Sequence, residues 1–285
     1  MTDTGVYLYA ITPETVRGDG LTGIGQAPVY AITHRGLAAH ASAVPLNRFG
    51  EEPLRRNLED LDWVEEVARA HHRVVSALAA EGATAPVRLV VVYTGDEQIR
   101  DLLDRRHDAF AEVLELVDGR QEWGVKAYAT PVPSGGGSGE GRVPAGRGGS
   151  GGAKGGGAKG GGAGLAYLQR RKAALRSRDD LWRRGAAQAE RLHAALSAIA
   201  VAGRRHRPQD PRLSGRSDCM VLNGAYLLDP DRLPRFTAVL DAFQGQGLDI
   251  ELTGPWAPYS FTTLELDPPG GAEPAGDTEE GADRR

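Results

Sequence analysis

Cysteine is nearly absent from the 285-residue chain: Cys219 stands alone, so no disulfide can close within it, and a reducing compartment is the simplest setting. Long apolar runs are missing too. None approaches the roughly 18 residues of a membrane-spanning helix. The start does not read as a secretory leader, with Asp3 where a basic segment belongs and only Gly5–Ile11 as an apolar stretch. These absences predict a soluble cytoplasmic protein with no membrane partner. Neither sign of charge is in large excess: 34 Lys and Arg against 38 Asp and Glu give a net charge of −4. That balance disfavours a general nucleic-acid binder, a class whose domains typically have a pI above about 9.

Catalytic patterns are equally scarce. His71 and His72 follow Glu65 and Glu66 on a predicted helix, but no HExxH, CxxC or second His pair completes the three or four ligands a metal needs. A solvated charged face is expected there. The stretch from Gly148 to Gly152 has the letters of a G-x-S-x-G nucleophile elbow without the strand–turn–helix setting that makes one. Neither Lys154 nor Lys159 precedes a hydroxyl residue, as a phosphate-binding loop requires. Cys219, beside Met220 and Val221 in a predicted strand, has no neighbouring His or helix N-terminus to lower its pKa and reads as a buried structural thiol. No catalytic, cofactor-binding or metal-binding residue emerges, and a non-enzymatic protein is expected.

What the sequence does have is glycine, 39 in all, much of it between Ser134 and Gly164. That stretch, with its AKGGGAKGGG repeat around Lys154 and Lys159, buries too little apolar surface to offset its ordering entropy and predicts a flexible tether. Residues 267–285, rich in Pro, Gly, Glu and Asp, predict a disordered acidic tail.

Two structured blocks remain. In the first, Gly5–Ile11 is a β-forming run stopped by Thr12-Pro13, and Val29–Thr33 and Gly36–Val44 are short strands about a His34-Arg35-Gly36 hairpin turn. Apolar residues at three-to-four spacing predict a helix over 58–81, closed by Gly82. Val87–Tyr93 reads as a continuous strand buried on both faces. Thr94-Gly95-Asp96 opens a second helix that Gly119 ends.

The second block opens with a strand at 122–129. After the tether comes a long helix, Leu165–Ala202, with Leu168, Leu175, Trp182, Ala189 and Leu196 on one apolar face and Gly185 as a place to bend. A strand over Cys219–Leu228, a helix around Leu233–Phe243 and a strand at Leu248–Leu252 follow. The order predicts a ferredoxin-like unit. The fold class is therefore α+β with two domains. The N-terminal domain is 1–120. The second, ferredoxin-like with an extended helix, is 121–133 and 165–266, with 134–164 as the disordered Gly-rich joining segment.

Four pieces carry a family resemblance. They are the opening Gly5–Ile11, the strand–helix block from Pro86 to Tyr93 and its acidic helix, Gln121-Glu-Trp-Gly-Val-Lys126, and Leu252-Thr-Gly-Pro-Trp-Ala-Pro-Tyr-Ser-Phe261. The third is similar to an E-W-G-[VL]-K signature and the fourth to a closing T-G-P-W-P-P-Y-S-F, both of the gas vesicle GvpL/GvpF family. This chain departs at Arg88-Leu89-Val90, where the family often has R-F-G, and at Ala257, where Pro is usual. The resemblance implies a cytoplasmic, vesicle-associated accessory protein, needed for gas vesicle formation, whose partners are the shell protein GvpA and other gas vesicle accessory proteins.

Candidate partner-binding residues come from two places. The closing motif packs prolines and aromatics together, so Trp256, Pro258 and Tyr259 suit a stiff binding segment, although Trp256 and Phe261 equally suit pinning the last strand to its own core. The long helix is basic in its first half, where Arg171 and Arg183 suit an acidic partner or simply a solvated face. The alternative function is a ligand- or nucleic-acid-binding regulator on a ferredoxin-like fold, since fold alone does not decide function. Shortening Ser134–Gly164 to a minimal linker should leave thermal stability nearly unchanged; a loss above about 2 kcal/mol in a denaturation experiment means the segment is more than a tether.

Overall fold

The computed structural model describes residues 3–130, 161–208 and 219–262, apart from the side chains of 161–170 and 173–179. The Gly-rich stretch up to residue 160, with Lys154, Lys159 and the Gly148–Gly152 pattern, and the acidic tail lie outside the described residues. The fold is mixed α+β with two sheets. Its contacts divide into two units, one from Met1–Trp123, Leu227–Asp231 and the stretch beginning at Gly254, the other from Gly124–Tyr226 and Arg232–Thr253, as far as these are described.

The first unit is organised by β1 (Thr4–Pro13), which lies inside the sheet order β2-β3-β1-β4, with β5 also on β1. The strands are β2 (Tyr30–His34), β3 (Leu37–Pro45), β4 (Ala85–Pro86) and β5 (Val92–Tyr93), and the pairings on β1 are antiparallel. His34 pairs with Leu37, leaving Arg35 and Gly36 as a two-residue turn with φ of 50° and 81°. Positive φ at both positions is the type I′ turn whose twist matches a hairpin. A bulge at Tyr9, between Leu8↔Ala41 and Ala10↔His40, brings Tyr7, Tyr9 and Ala10 into one core cluster.

Helices cover the sheet. α1 (Leu46–Phe49) and α2 (Glu51–Asn57) lead into α3 (Leu61–Glu81), whose N-cap Asp60 accepts from the Asp62 and Trp63 amides at 3.0 and 3.3 Å. The cap sets the helix start at Leu61 rather than 58. Trp63, Val67, Ala70, Val74, Val75 and Leu78 of α3 join the cluster on Tyr7 and Tyr9. α4 (Asp96–Arg105) and α5 (His107–Val117), which pack on β1, β2 and β3, replace the single expected helix; the chain breaks step at Arg106, and Ile99, Leu102, Leu103, Phe110 and Leu114 still face inward.

The expected continuous strand 87–93 does not form. Tyr7 pairs with Val92 and Ala10 with Pro86, so five residues, 87–91, stand against two, Leu8 and Tyr9. The excess is looped out between two neck hydrogen bonds, Val87 N–H to the Tyr9 carbonyl at 2.9 Å and Leu8 N–H to the Val91 carbonyl at 3.0 Å. Val90 takes φ 64°, a conformation costly for a β-branched residue. Val90 stands where the resembled family often has Gly, which adopts that φ freely. The apolar run could not show this, because a looped segment with valines facing the core has a strand's composition.

The second sheet has the order β7-β8-β6-β9, from β6 (Gln121–Ala129), β7 (Ala202–Arg205), β8 (Cys219–Leu228) and β9 (Leu248–Trp256). With α6 (Gly161–Ser197) after β6 and α7 (Leu233–Phe243) after β8, the elements run β-α-β-β-α-β. Three of these strands and both helices match the sequence reading, and β7 is the strand it lacked. β7 and the turn before it replace the predicted end of the long helix, which stops at Ser197. Cys219, expected to be buried, is half-exposed at the first position of β8. Ala189, Leu192 and Leu196 are fully buried as expected, but Trp182 is 51% exposed and not part of a packed face.

Gly185 is a close-packing point, not a bend marker. A Cβ there would lie 2.5 Å from Ala129 Cβ and 3.5 Å from Val221 Cγ1, so α6 meets β6 and β8 at the distance only glycine permits. Two effects compete in Gly185→Ala. Helix propensity favours Ala by about 1 kcal/mol, and overpacking costs about 1–3 kcal/mol. The overlap with a backbone-bound methyl should win, giving a net loss of about 1 kcal/mol, and Gly185→Val should lose more than about 2 kcal/mol in chemical denaturation. A rise in stability for Gly185→Ala contradicts this close approach.

Candidate protein-interaction site

From Gly254 onward the closing motif lies in the first unit as a segment along α3. Gly254, at φ 128°, has no room for a side chain: a Cβ there would sit 3.0 Å from the Glu122 carbonyl and 3.2 Å from the Trp123 ring. The Gly254–Pro255 peptide is cis. Ala257 and Phe261 are buried, and Tyr259 packs on the Tyr7–Tyr9 cluster. The Tyr259 N–H donates to the Ala257 carbonyl at 2.8 Å and the Phe261 N–H to the Pro258 carbonyl at 3.0 Å, so the segment turns tightly on itself.

Two tethers hold it. The Glu122 carboxylate, only 7% exposed, accepts from the Ser260 backbone N–H at 2.8 Å and from the Ser260 hydroxyl at 2.6 Å. The Thr262 hydroxyl donates to the Pro86 carbonyl at 3.1 Å. Hydrogen bonds to a charged carboxylate are worth about 1.5–3 kcal/mol. The third and fourth motifs are thus stitched together through Glu122 and Ser260. Sequence reasoning gave its attention to the tryptophans and missed this pair. The signal was a lone acid inside a β-forming run, which demands a partner wherever the strand is buried.

Beneath the segment lies a buried polar pair. His71 is 2% exposed, not on a solvated face, because it falls on the inner stripe of α3 with Ala70, Val74 and Val75. Its Nδ1 is 3.0 Å from the Tyr7 hydroxyl. Burial lowers the His71 pKa from 6.5 to about 4, with the Val87 carbonyl offsetting part of the effect and His72 adding to it. The same burial raises the Tyr7 phenol far above its usual range. Tyr259 is also raised, by burial first and the Glu122 charge second. On the opposite end of the sheet face, His40 Nε2 lies 2.9 Å from Thr12 Oγ1, and burial likewise brings His40 to about 4.

The expected binding residues therefore separate. Trp256 is 45% exposed with its ring 5.7 Å from His72, and Tyr259 is 6.3 Å from the same imidazole, so the two aromatics share His72 as a platform. Pro258 is buried and lines a cleft of about 290 Å³ with Ala79, Ala80, Glu81, Thr84 and Val117. Arg171 and Arg183 are exposed on α6, in the other unit, twelve residues or about 18 Å of helix apart. Among the described residues no three His, Cys, Asp or Glu converge as a metal site, and no helix is long and apolar enough to cross a membrane.

Comparison with known proteins gives a consistent result. Residues 5–263 match the family described as gas vesicle synthesis protein GvpL/GvpF. The chain is 44% identical over 265 residues to gas vesicle protein L of Streptomyces sp. (strain CB03234), covering 92% of this chain and 94% of that protein. It is 28% identical over 266 residues to gas vesicle protein F of the same strain, covering 90% and 98%. The crystal structure of GvpF from Anabaena sp. PCC7120 superposes with a TM-score of 0.56 at 20% identity, over 92% of this chain and 98% of that one. GvpF from Microcystis aeruginosa gives 0.57 at 19% identity, over 91% and 99%. At such identity the structural likeness establishes the fold alone.

The two depressed histidines make stability depend on pH. Between pH 6.5 and about 4 the unfolded chain binds a proton at each that the folded chain refuses, so stability falls as pH falls through this window and levels off below it. The contribution is on the order of 2–3 kcal/mol per histidine. His71→Gln should flatten the pH dependence of the unfolding midpoint over that window; an unchanged slope removes His71 as a cause.

Proposed function

The chain belongs to the gas vesicle GvpL/GvpF family, and on that premise we propose that it acts without catalysis, as an assembly or minor structural protein that binds the shell protein GvpA and other accessory proteins while gas vesicles form. The observation that carries this reading is Trp256, a large aromatic left 45% exposed on a segment otherwise fixed by Glu122, Thr262 and a buried Phe261. A rigid aromatic anchor loses little entropy on binding, which is why Trp and Tyr dominate interface energetics. A vesicle wall wet on one side and apolar on the other is built from subunits that expose an apolar face before assembly. A helper for such a subunit needs an apolar contact that does not collapse on itself, and Trp256 with Tyr259 over His72 supplies one. The basic residues Arg171 and Arg183 would then serve contacts with acidic partners. In the same reading the protein resides in the cytoplasm and on the vesicle, the Gly-rich stretch is a tether, and its two ends belong to one ferredoxin-like domain.

The test is capture of GvpA by the tagged full-length chain from cells expressing a gas vesicle gene cluster, with washed vesicles probed for the chain itself. Trp256→Ala should weaken GvpA capture about tenfold or more, with an unfolding midpoint close to that of the parent because the side chain is half in solvent. GvpA captured equally by both proteins would falsify the role given to Trp256, and capture by neither would move the function to contacts with other accessory proteins.

A further inference from the structure

Ahead of Gly185, the described side chains of α6 form a surface that packing within its unit does not explain. From Gly185 onward the helix buries Gly185, Ala189, Leu192 and Leu196. Before that point Arg171, Lys172, Asp180, Trp182, Arg183 and Arg184 are exposed, and Leu181 is half-buried. Eleven residues at about 100° each bring Trp182 round to within about 20° of Arg171, and Arg183 to within about 20° of Lys172. Arg171 and Trp182 therefore share one side of the helix, and Lys172 and Arg183 the adjoining side about 100° round. Arg and Trp are the residue types most enriched where protein surfaces meet.

The chain carries the complement of this face elsewhere. On α4, Glu97, Asp101 and Asp104 are exposed, and on α5, Asp108, Glu112 and Glu115. They recur every three or four residues, so each helix presents a row of carboxylates. Within the chain Arg100 pairs with Glu97, Arg35 and His34 with Asp104, and His107 with Asp108, so the row's charge rests mainly on Asp101, Glu112 and Glu115.

We propose that the two adjoining exposed sides of α6, Arg171 with Trp182 and Lys172 with Arg183, dock in one chain on the α4–α5 carboxylate row of a second copy, head to tail. Opposite charge steers the approach and sets the register, and Trp182 supplies the apolar contact that charge pairs at a wet rim do not. Because the two surfaces differ, the contact is heterologous, and it propagates into rings or chains of subunits instead of stopping at a symmetric pair.

Sedimentation of the full-length chain tests this directly. Mass should rise with concentration at low salt, and association should weaken about tenfold or more between roughly 0.05 M and 0.5 M salt, as screening of exposed charges requires. Two charge-reversed chains sharpen the test. One carries Arg171→Glu, Lys172→Glu and Arg183→Glu; the other carries Asp101→Lys, Glu112→Lys and Glu115→Lys. Each alone should remain monomeric with unchanged circular dichroism, and an equimolar mixture should associate, since the basic helix of the second still meets the acidic row of the first. A parent chain that stays monomeric at low salt overturns the proposal, as does a mixture that fails to associate. Retention of the parent on DNA without self-association overturns it too, in favour of a nucleic-acid occupant for α6.

Discussion

Residues 5–12 of β1 are all buried, and much of the first unit follows from that enclosure. A strand paired on both edges and covered on both faces sends no side chain to water, yet this one carries Tyr7, Tyr9 and Thr12. Each polar tip must find a partner inside. Tyr7 meets His71, Tyr9 meets Ser42 at 2.7 Å and accepts from the Ile24 N–H at 2.9 Å, and Thr12 meets His40. Those partners in turn fix the rotation of α3 and the register of β3. A polar core of this kind is more specific than an apolar one, because a shift of one residue strands several donors at once.

The motif residues divide between stitching and display. Glu122, Ser260, Phe261 and Gly254 close the segment onto its own unit, where a side chain at 254 would strike backbone. Trp256 is left outward as a consequence, since the residues before and after it are held. The long signatures that made the family visible are mostly long because of packing, and the part that reaches the surface is narrow.

Part of the architecture was legible because it rests on local rules. The His34-Arg35-Gly36 turn gave the hairpin, and apolar spacing gave α3 and α7, while the Asp60 cap and the short strand β7 went unread. What was not legible depends on non-local geometry. Nothing in Pro86–Tyr93 announces that β1 has two residues where this segment has five. The break at Arg106 leaves the three-to-four apolar spacing almost intact. His71 looked solvated beside His72 because the inner stripe of α3 happens to include it, and Trp182 fitted a heptad whose packed portion begins only at Gly185. Of the candidate binding residues, sequence named Trp256 and Tyr259 but not the imidazole of His72 that both approach.

The stitching of residue 260 to residue 122 also bears on synthesis. The core of the first unit includes Ala257, and its closing hydrogen bond comes from Thr262, so the unit stays unfinished while more than a hundred intervening residues are translated. The second unit takes its last strand residues from before Gly254 and is complete sooner. At a ribosome's pace of roughly 5–20 residues per second, the nascent chain spends several seconds with the N-terminal sheet formed and the α3 flank bare. The flank that Trp256 later occupies is thus uncovered until residues 254–262 have left the ribosome.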